Sequence, residues 1–413
     1  MPVQPVQPIP ALGSDNPFEA FYRPSFEITI ADRDDLPKDG DPGQPISDKI
    51  LSDIESVSYV DNVEEADSFT LTITNWDAER RKLKYYGYPT RPTSDDDKKF
   101  STFFEPSGRD KPKKFQLRLG YQGTLRGMMV GYVTNIETSF PQDAAPTLKV
   151  TALDVLSRSR KDKFTWRWEN RTDSQIAQEL SQKPDKARGR PGLGIRIRTN
   201  PLDEKPHPRV AMRATTVPAF LLERARLHAY SFFPTVENGQ SLFYFGPSEL
   251  LKPGPYELEW GKSLLDFTPT LKTSGQPRSV TVRAQSRSGP GRIQAKATLA
   301  DFHLNEDLYP YLDALGEDKE VPDRVVRTND EAMDFAKSTL RAALKGLLEV
   351  TGSTIGLPDL RAGQVIKIKG VDYRFDGQYF VTQTTHTVDT NGYKTTFKAR
   401  REQTPEKKKS LPS

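Results

Sequence analysis

The chain has 413 residues, of which 35% are hydrophobic and 28% charged, and its formal net charge is +4. That length suits two or three domains, and so small a net charge does not by itself call for nucleic acid. Because there is no cysteine, disulfides, Cys-ligated zinc, iron–sulfur clusters and Cys nucleophiles are excluded.

The chain opens on a Pro/Gln-rich leader, residues 1–18, with a PVQPVQP repeat that favours an extended arm. The leader has no basic region followed by an apolar run, so it is not a secretory signal. No apolar stretch is long enough to span a bilayer. The expectation is a protein made in the cytoplasm, with no membrane partner.

Residues 19–158 read as a first β-barrel domain. Phe69, Leu71 and Ile73 alternate with threonines, the period of a half-buried strand. Phe115, Leu117, Leu119 and Tyr121 alternate likewise, and Gly123 follows at a hairpin turn. A strand over 129–137, a PQDAAP turn, and Leu148, Val150 and Ala152 complete the pattern of short antiparallel strands. A polar insertion over 80–112 interrupts it and is expected to run over the surface.

Residues 159–265 read as a mixed α/β insert. Thr172 with Gln175 is a capping box ahead of Ile176, Ala177 and Leu180. Thr216 precedes a second helix with Pro218 in its first turn and Phe220, Leu221 and Ala225 on its buried face. Strands near 231–234 and 242–245 follow.

Residues 266–402 read as a second β-barrel domain. Val280, Val282 and Ala284 form a strand. Thr328 and Glu331 cap a helix over 329–347 that buries Ala332, Ala336, Leu340, Ala343, Leu344 and Leu347. Ile366/Ile368, Tyr379/Val381 and Tyr393/Thr395/Phe397 then alternate with period two. Residues 403–413 are a basic tail.

The two β regions echo each other. GYVTNIETSF, PQDAAP and TLKVTALD near the end of the first answer to GQYFVTQTTHTV, DTNG and YKTTFKARR near the end of the last. Each is a glycine, an alternating strand, a short turn and a second strand, although the strand residues themselves match little. The fold class expected is therefore mainly β with α+β inserts, with two similar antiparallel barrels per chain. A trimer of such chains would place six barrels in a pseudo-six-fold ring.

Charge is unevenly spread. Residues 32–67 hold twelve Asp/Glu against three Lys/Arg, and residues 158–198 hold twelve Lys/Arg against five Asp/Glu. Opposite-signed regions suit complementary subunit contacts, and equally two solvated surfaces.

A search for chemistry yields no catalytic, cofactor or metal residues. His207, His228, His303 and His386 are far apart in sequence and form no metal-ligand spacing. His228 reads as a packed or capping residue, and His386 as ordinary sheet surface. GPGR at 289–292 lacks the Lys-Ser/Thr of a phosphate loop. Asp95, Asp96 and Asp97 lack the spaced ligands of a calcium loop. No GxSxG elbow is present. In the basic segment, Phe164, Trp166 and Trp168 interleave with charge, which could stack bases. The preferred reading has the tryptophans packing the insert against the barrel.

The ordered set of segments resembles the baseplate hub proteins of contractile phage tails and injection systems, the late control D family. It is also similar to the hub module of type VI secretion spike proteins. The resemblance runs over residues 26–401. It is carried by FTLTITNW, FQLRLGYQG, VGYVTNIETSFP with TLKVTALDVLSR, SQIAQEL, AFLLERARLHAYSFFPTVENGQSLFYF and LEWGKSLLDFTP. EAMDFAKSTLRAALKG, TGSTIGLPDLRAGQVIKIKG, FDGQYFVTQTTHTV and YKTTFKARR close it.

The resemblance implies a homotrimeric symmetry adapter between a hexameric inner tube and a trimeric spike, forming part of the central channel. Implied partners are other copies of itself, the inner tube protein, the spike protein and baseplate wedge or sheath-proximal proteins. Assembly in the bacterial cytoplasm and a final place in a baseplate follow. Because the chain stops soon after Arg401, the spike is expected as a separate chain. Two alternatives stand beside this reading. One is a cell-wall hydrolase of the tail. The other is a nucleic-acid contact through residues 158–198, which salt-dependent DNA binding lost on removing Arg158, Arg160 and Lys161 would support.

Overall fold

The computed structural model describes residues 23–31, 46, 48–85, 103–104, 113–154, 162–202, 204–237, 240–251, 253–272, 274–285, 292–302, 314, 316–322, 326 and 328–401. The leader, the tail, His303, the Asp95–97 run and most of the 80–112 insertion lie outside these residues.

Alternating apolar and polar side chains build one twelve-stranded sheet. Its first half runs, in space, Pro24–Ala31, Lys114–Tyr121, Thr124–Ser139, Thr147–Asp154, Ser68–Thr74 and Ile54–Asn62. The second half runs Pro253–Glu259, Val365–Lys369, Gly377–Asp389, Gly392–Arg401, Leu348–Ile355 and Leu264–Leu271. With the strands of each half counted in chain order, both halves have the same spatial order, 1-4-5-6-3-2.

The irregularities repeat as well. A bulge separates Ile54 from Ser56 on the second strand of the first unit, and one separates Leu264 from Asp266 on its counterpart. The fifth strands bulge between Val133 and Asn135 and between Val381 and Gln383. The extra residue there is a threonine in both. Thr134 donates its hydroxyl to the Thr151 carbonyl at 3.3 Å, and Thr382 donates to that of Lys398 at 3.1 Å. Bulges are specific local features of a strand, so their coincidence marks a true internal repeat. Its register differs from the glycine-led alignment of the two sequences: Val-Thr-Asn at 133–135 matches Val-Thr-Gln at 381–383, which sets Gly131 against Tyr379. The halves differ at their outer pair, antiparallel in the first unit and parallel in the second.

The two units are joined edge to edge. The second strand of the first unit pairs with the fifth strand of the second, from Val57↔Val388 to Asn62↔Gln383. Among the described residues, no pairing closes either unit on itself.

Each unit has its own core. Phe69, Leu71, Ile73, Phe115, Leu117, Leu148 and Val150 fill the first. Val350, Ile366, Ile368, Tyr379, Val381 and Phe397 fill the second. Each such side chain contributes about 1.5–3 kcal/mol by leaving water. The polar insertion is not wholly a surface loop. Tyr85 and Phe104 return from it to the first core, where the Phe104 ring stacks on Phe115 at 6.2 Å. Apolar rings inside a polar segment are drawn back by the same burial energy.

The mixed insert has a core of its own around Trp168, Ile176, Leu180, Met212, Phe220, Leu221 and Phe245. The Pro253–Glu259 strand belongs with the second unit, because it pairs with Val365–Lys369. A boundary at residue 265 is therefore too late. Within the second unit, the helix Asn329–Lys345 covers a small sheet of Pro277–Gln285, Arg292–Thr298 and Glu317–Val321. Ala332, Ala336, Leu340 and Leu344 form its buried stripe, while Ala343 is only partly covered. Thr328 caps it by accepting from the Glu331 N–H at 3.1 Å.

Candidate assembly interface

The seam between the two units carries a dense set of side-chain hydrogen bonds. Arg361 precedes the fourth strand of the second unit and reaches across the seam into the first. Its Nε donates to Asp61 Oδ2 at 2.6 Å, and its Nη2 donates to the Met128 carbonyl at 3.1 Å and to the Tyr59 hydroxyl. The Ala362 N–H reaches the same Asp61 oxygen at 3.1 Å. The guanidinium lies 4.9 Å from the centre of the Tyr59 ring. Burial alone would lower the guanidinium pKa; Tyr59 and Asp61 outweigh it and hold the charge firmly in place.

Tyr59 passes its own hydrogen to Asp67 Oδ2 at 2.9 Å. Asp67 is nearly buried, and its carboxyl is pushed up to about 8, first by burial and then by the charge of Asp61. The seam thus holds one carboxylate paired with arginine and another biased toward its neutral form.

His386 sits on the other side of the seam. As a strand residue it reads as sheet surface; here it is fully buried, stacked on Tyr59 at 5.9 Å. Its Nδ1 accepts from the Tyr393 hydroxyl at 2.8 Å, and its Nε2 donates to the Leu360 carbonyl at 3.0 Å. Burial, then the Arg361 charge, lower its pKa to about 3, so the ring is neutral. No short-range sequence signal marks this site, because its members come from both units.

A second constellation lies inside the insert. The histidines far apart in sequence do meet: His207 and His228 both bring Nε2 to Asp173 Oδ2, at 3.0 and 2.6 Å. His228 also ends the Val217–Leu227 helix as its C-cap. Arg224 adds Nε to Asp173 Oδ1 at 2.6 Å and Nη2 to Oδ2 at 2.8 Å. The three potential metal-ligand atoms of Asp173, His207 and His228 lie within 4.8 Å of one another. The guanidinium already takes both carboxylate oxygens and supplies the countercharge that a metal would supply. Burial would raise the Asp173 pKa, but bonds from His207, His228 and Arg224 outweigh it and hold the carboxyl well below the usual range. The arrangement clamps the Asp173–Leu180 helix, whose capping box has both bonds, Gln175 N–H to Thr172 Oγ1 and Thr172 N–H to Gln175 Oε1.

Trp168 is in this core as well. It stacks on Phe220 at 5.4 Å and donates Nε1–H to Glu179 at 3.0 Å. It packs within the insert, not against the barrel as expected, and its face is not presented for stacking on bases. A cleft of about 240 Å³ separates the insert from the first unit, with Glu64, Glu65 and Asp154 on one wall and Pro218, Leu222 and Phe232 on the other.

A family model described as the Alg8 N-terminal domain matches residues 101–390, and the chain belongs to that family. No curated protein sequence matches the chain. Among solved structures, the 43 kDa tail protein of prophage MuSo2 from Shewanella oneidensis is 14% identical, with a TM-score of 0.61 over 91% of this chain and 98% of that one. A tail protein from Neisseria meningitidis MC58 is 12% identical, with a TM-score of 0.57 over 91% and 96%. The Francisella PdpA–VgrG complex, half-lidded, gives 10% identity and a TM-score of 0.51 over 95% of this chain and 60% of that one. The chain thus has the fold of phage tail proteins. The family span of 101–390 runs from the first unit through the insert into the second.

Proposed function

We propose that this member of the Alg8 N-terminal domain family is a structural hub of a phage tail or contractile injection machine. Three chains form a ring, which joins a hexameric inner tube above to a trimeric spike below and encloses part of the channel. The observation that carries this reading is the internal repeat: each chain holds two six-stranded units of one topology. Three copies therefore offer six similar faces to a six-fold partner and three identical faces to a three-fold one. The tail-protein fold supports it.

The work is assembly and not bond chemistry. In support, the one Asp–His–His cluster among the described residues has its carboxylate saturated by Arg224. Further partners on this reading are wedge or sheath-proximal proteins, and the ring is built in the bacterial cytoplasm before it takes its place in a baseplate. Native mass spectrometry of the purified chain, alone and mixed with tube and spike proteins encoded beside it, tests this. A trimer that takes up both is expected. A monomer that binds neither would overturn the reading.

A further inference from the structure

The seam inside the chain joins the second strand of one unit to the fifth strand of the other, and every unit owns both strands. One of each is left over. Leu264–Leu271, the second strand of the second unit, pairs with Leu348–Ile355 on one side; on its other edge Leu264 is bridged to Trp260, and among the described residues nothing pairs with 266–271 there. Thr124–Ser139, the fifth strand of the first unit, gives residues 124–132 to Lys114–Tyr121. Beyond the bulge, among the described residues, 135–139 pair only with Thr147–Asp154. In the second unit, the matching edge is where Ile54–Asn62 docks.

We infer that copies of this chain join head to tail, the free edge of Leu264–Leu271 on one copy pairing antiparallel with residues 135–140 of the next. The repeated bulges set the register. Ser56 corresponds to Asp266, and Asn135 to Gln383. Carrying the internal pairs Val57↔Val388, Ser58↔Thr387, Val60↔Thr385 and Asp61↔Thr384 across the repeat sets Phe267 opposite Phe140. It also sets Thr268 opposite Ser139, Thr270 opposite Glu137 and Leu271 opposite Ile136.

Exposure agrees with this register. At the internal seam Val57, Tyr59, Thr384, His386 and Val388 are all buried. Their counterparts Phe267, Pro269, Ile136 and Thr138 are only half-buried. Phe140, the counterpart of Val388, is 67% exposed. A phenyl ring left in water on a free strand edge is covered when Phe267 of the next copy faces it, as a cross-strand aromatic pair. Among the described residues no pairing joins these two edges within the chain, and both are left open, so the partner is another copy. Such a heterologous contact repeats until the ring closes, and it removes two sheet edges per copy that would otherwise invite wrong pairing.

The proposal deepens the trimeric reading and rests on it only for the number of copies. The absence of native cysteine makes cross-linking clean. Ser139 and Thr268 are both exposed, so replacing them spares the core. Directly opposed residues of an antiparallel pair have Cα atoms about 4.5–5.5 Å apart, within disulfide reach. The double variant Ser139→Cys/Thr268→Cys is oxidised and run on a non-reducing denaturing gel. A covalent ladder ending at the trimer is expected. The control Asn135→Cys/Thr268→Cys, about 13 Å out of register, should stay monomeric on the gel. A native trimer without the in-register cross-link, or one that cross-links only in the control, overturns the junction and leaves the trimer standing. A cross-link within one chain overturns it too. A species that is monomeric at every concentration overturns both.

Discussion

Arg361 and Asp61, 300 residues apart in sequence, meet at 2.6 Å inside the seam that joins the two β units. A strand pair by itself tolerates slippage by two residues, since such a shift keeps each side chain on its face. A buried ion pair with a fixed fork does not. The pair therefore pins the register of the seam, and with it the relation of the two units.

Arg361→Met should leave Asp61 buried without its countercharge and cost about 3–5 kcal/mol. Arg361→Met/Asp61→Leu should lose clearly less than the two single changes added together. Urea unfolding of the four proteins reads this. Additive losses would mean that the two side chains act independently.

Asp67 predicts a stability that falls with pH. Its folded pKa is about 8, while in the unfolded chain a carboxyl titrates near 4. Between those values the unfolded state releases a proton that the folded state keeps, so stability is fully present at acid pH and is lost as pH rises through 8. Asp67→Asn should gain on the parent between about pH 4 and 8, and the difference should level off above. Thermal melts across that range decide it. A constant difference would mean that the carboxyl is ionised throughout.

His386 slopes the other way. Its folded pKa is about 3, against about 6.5 unfolded. The unfolded state binds the extra proton between these values, so stability is lost on acidification, by about 2 kcal/mol at pH 5. His386→Gln keeps an acceptor and a donor. It should cost about 1–3 kcal/mol at pH 7, a cost relative to the parent that shrinks as pH falls below about 6.5. Between about pH 4 and 6.5 the two slopes oppose each other, so each single variant should expose the other's. An acid limb in the glutamine variant as steep as the parent's would remove His386 as its source.

Asp173→Asn removes the charge that holds Arg224, His207 and His228 together. A loss of about 3–5 kcal/mol is expected, with amide exchange faster first in the Asp173–Leu180 helix. Adding zinc or a chelator to the parent should leave Tm unchanged, because Arg224 already neutralises the carboxylate. A zinc-dependent rise in Tm would instead identify the cluster as a metal site.

Much of the fold was legible in the chain itself. Period-two alternation located Phe69–Leu71–Ile73, Phe115–Leu117–Leu119 and Leu148–Val150–Ala152, because one buried face imposes that pattern directly. The Thr172/Gln175 box and the Ala332–Ala336–Leu340–Leu344 stripe were equally plain, since caps and helical faces are local. The echo of two β regions was visible too, but not its register. A bulge adds one residue with no marker in composition, so the shared Thr134 and Thr382 appeared only once the strands were paired.

The long-range contacts were not legible. Arg361 reaches Tyr59 and Asp61, and His386 stacks on Tyr59, only when segments some 300 residues apart come side by side, and His207 and His228 meet only when a helix brings Asp173 between them. Local sequence determined which segments are strands and helices and which face of each is apolar, because those follow from short-range periodicity and caps. Tertiary structure alone decided which edges are paired and which are free. Pairing is a competition among distant strands, settled by charge, register and bulge in three dimensions.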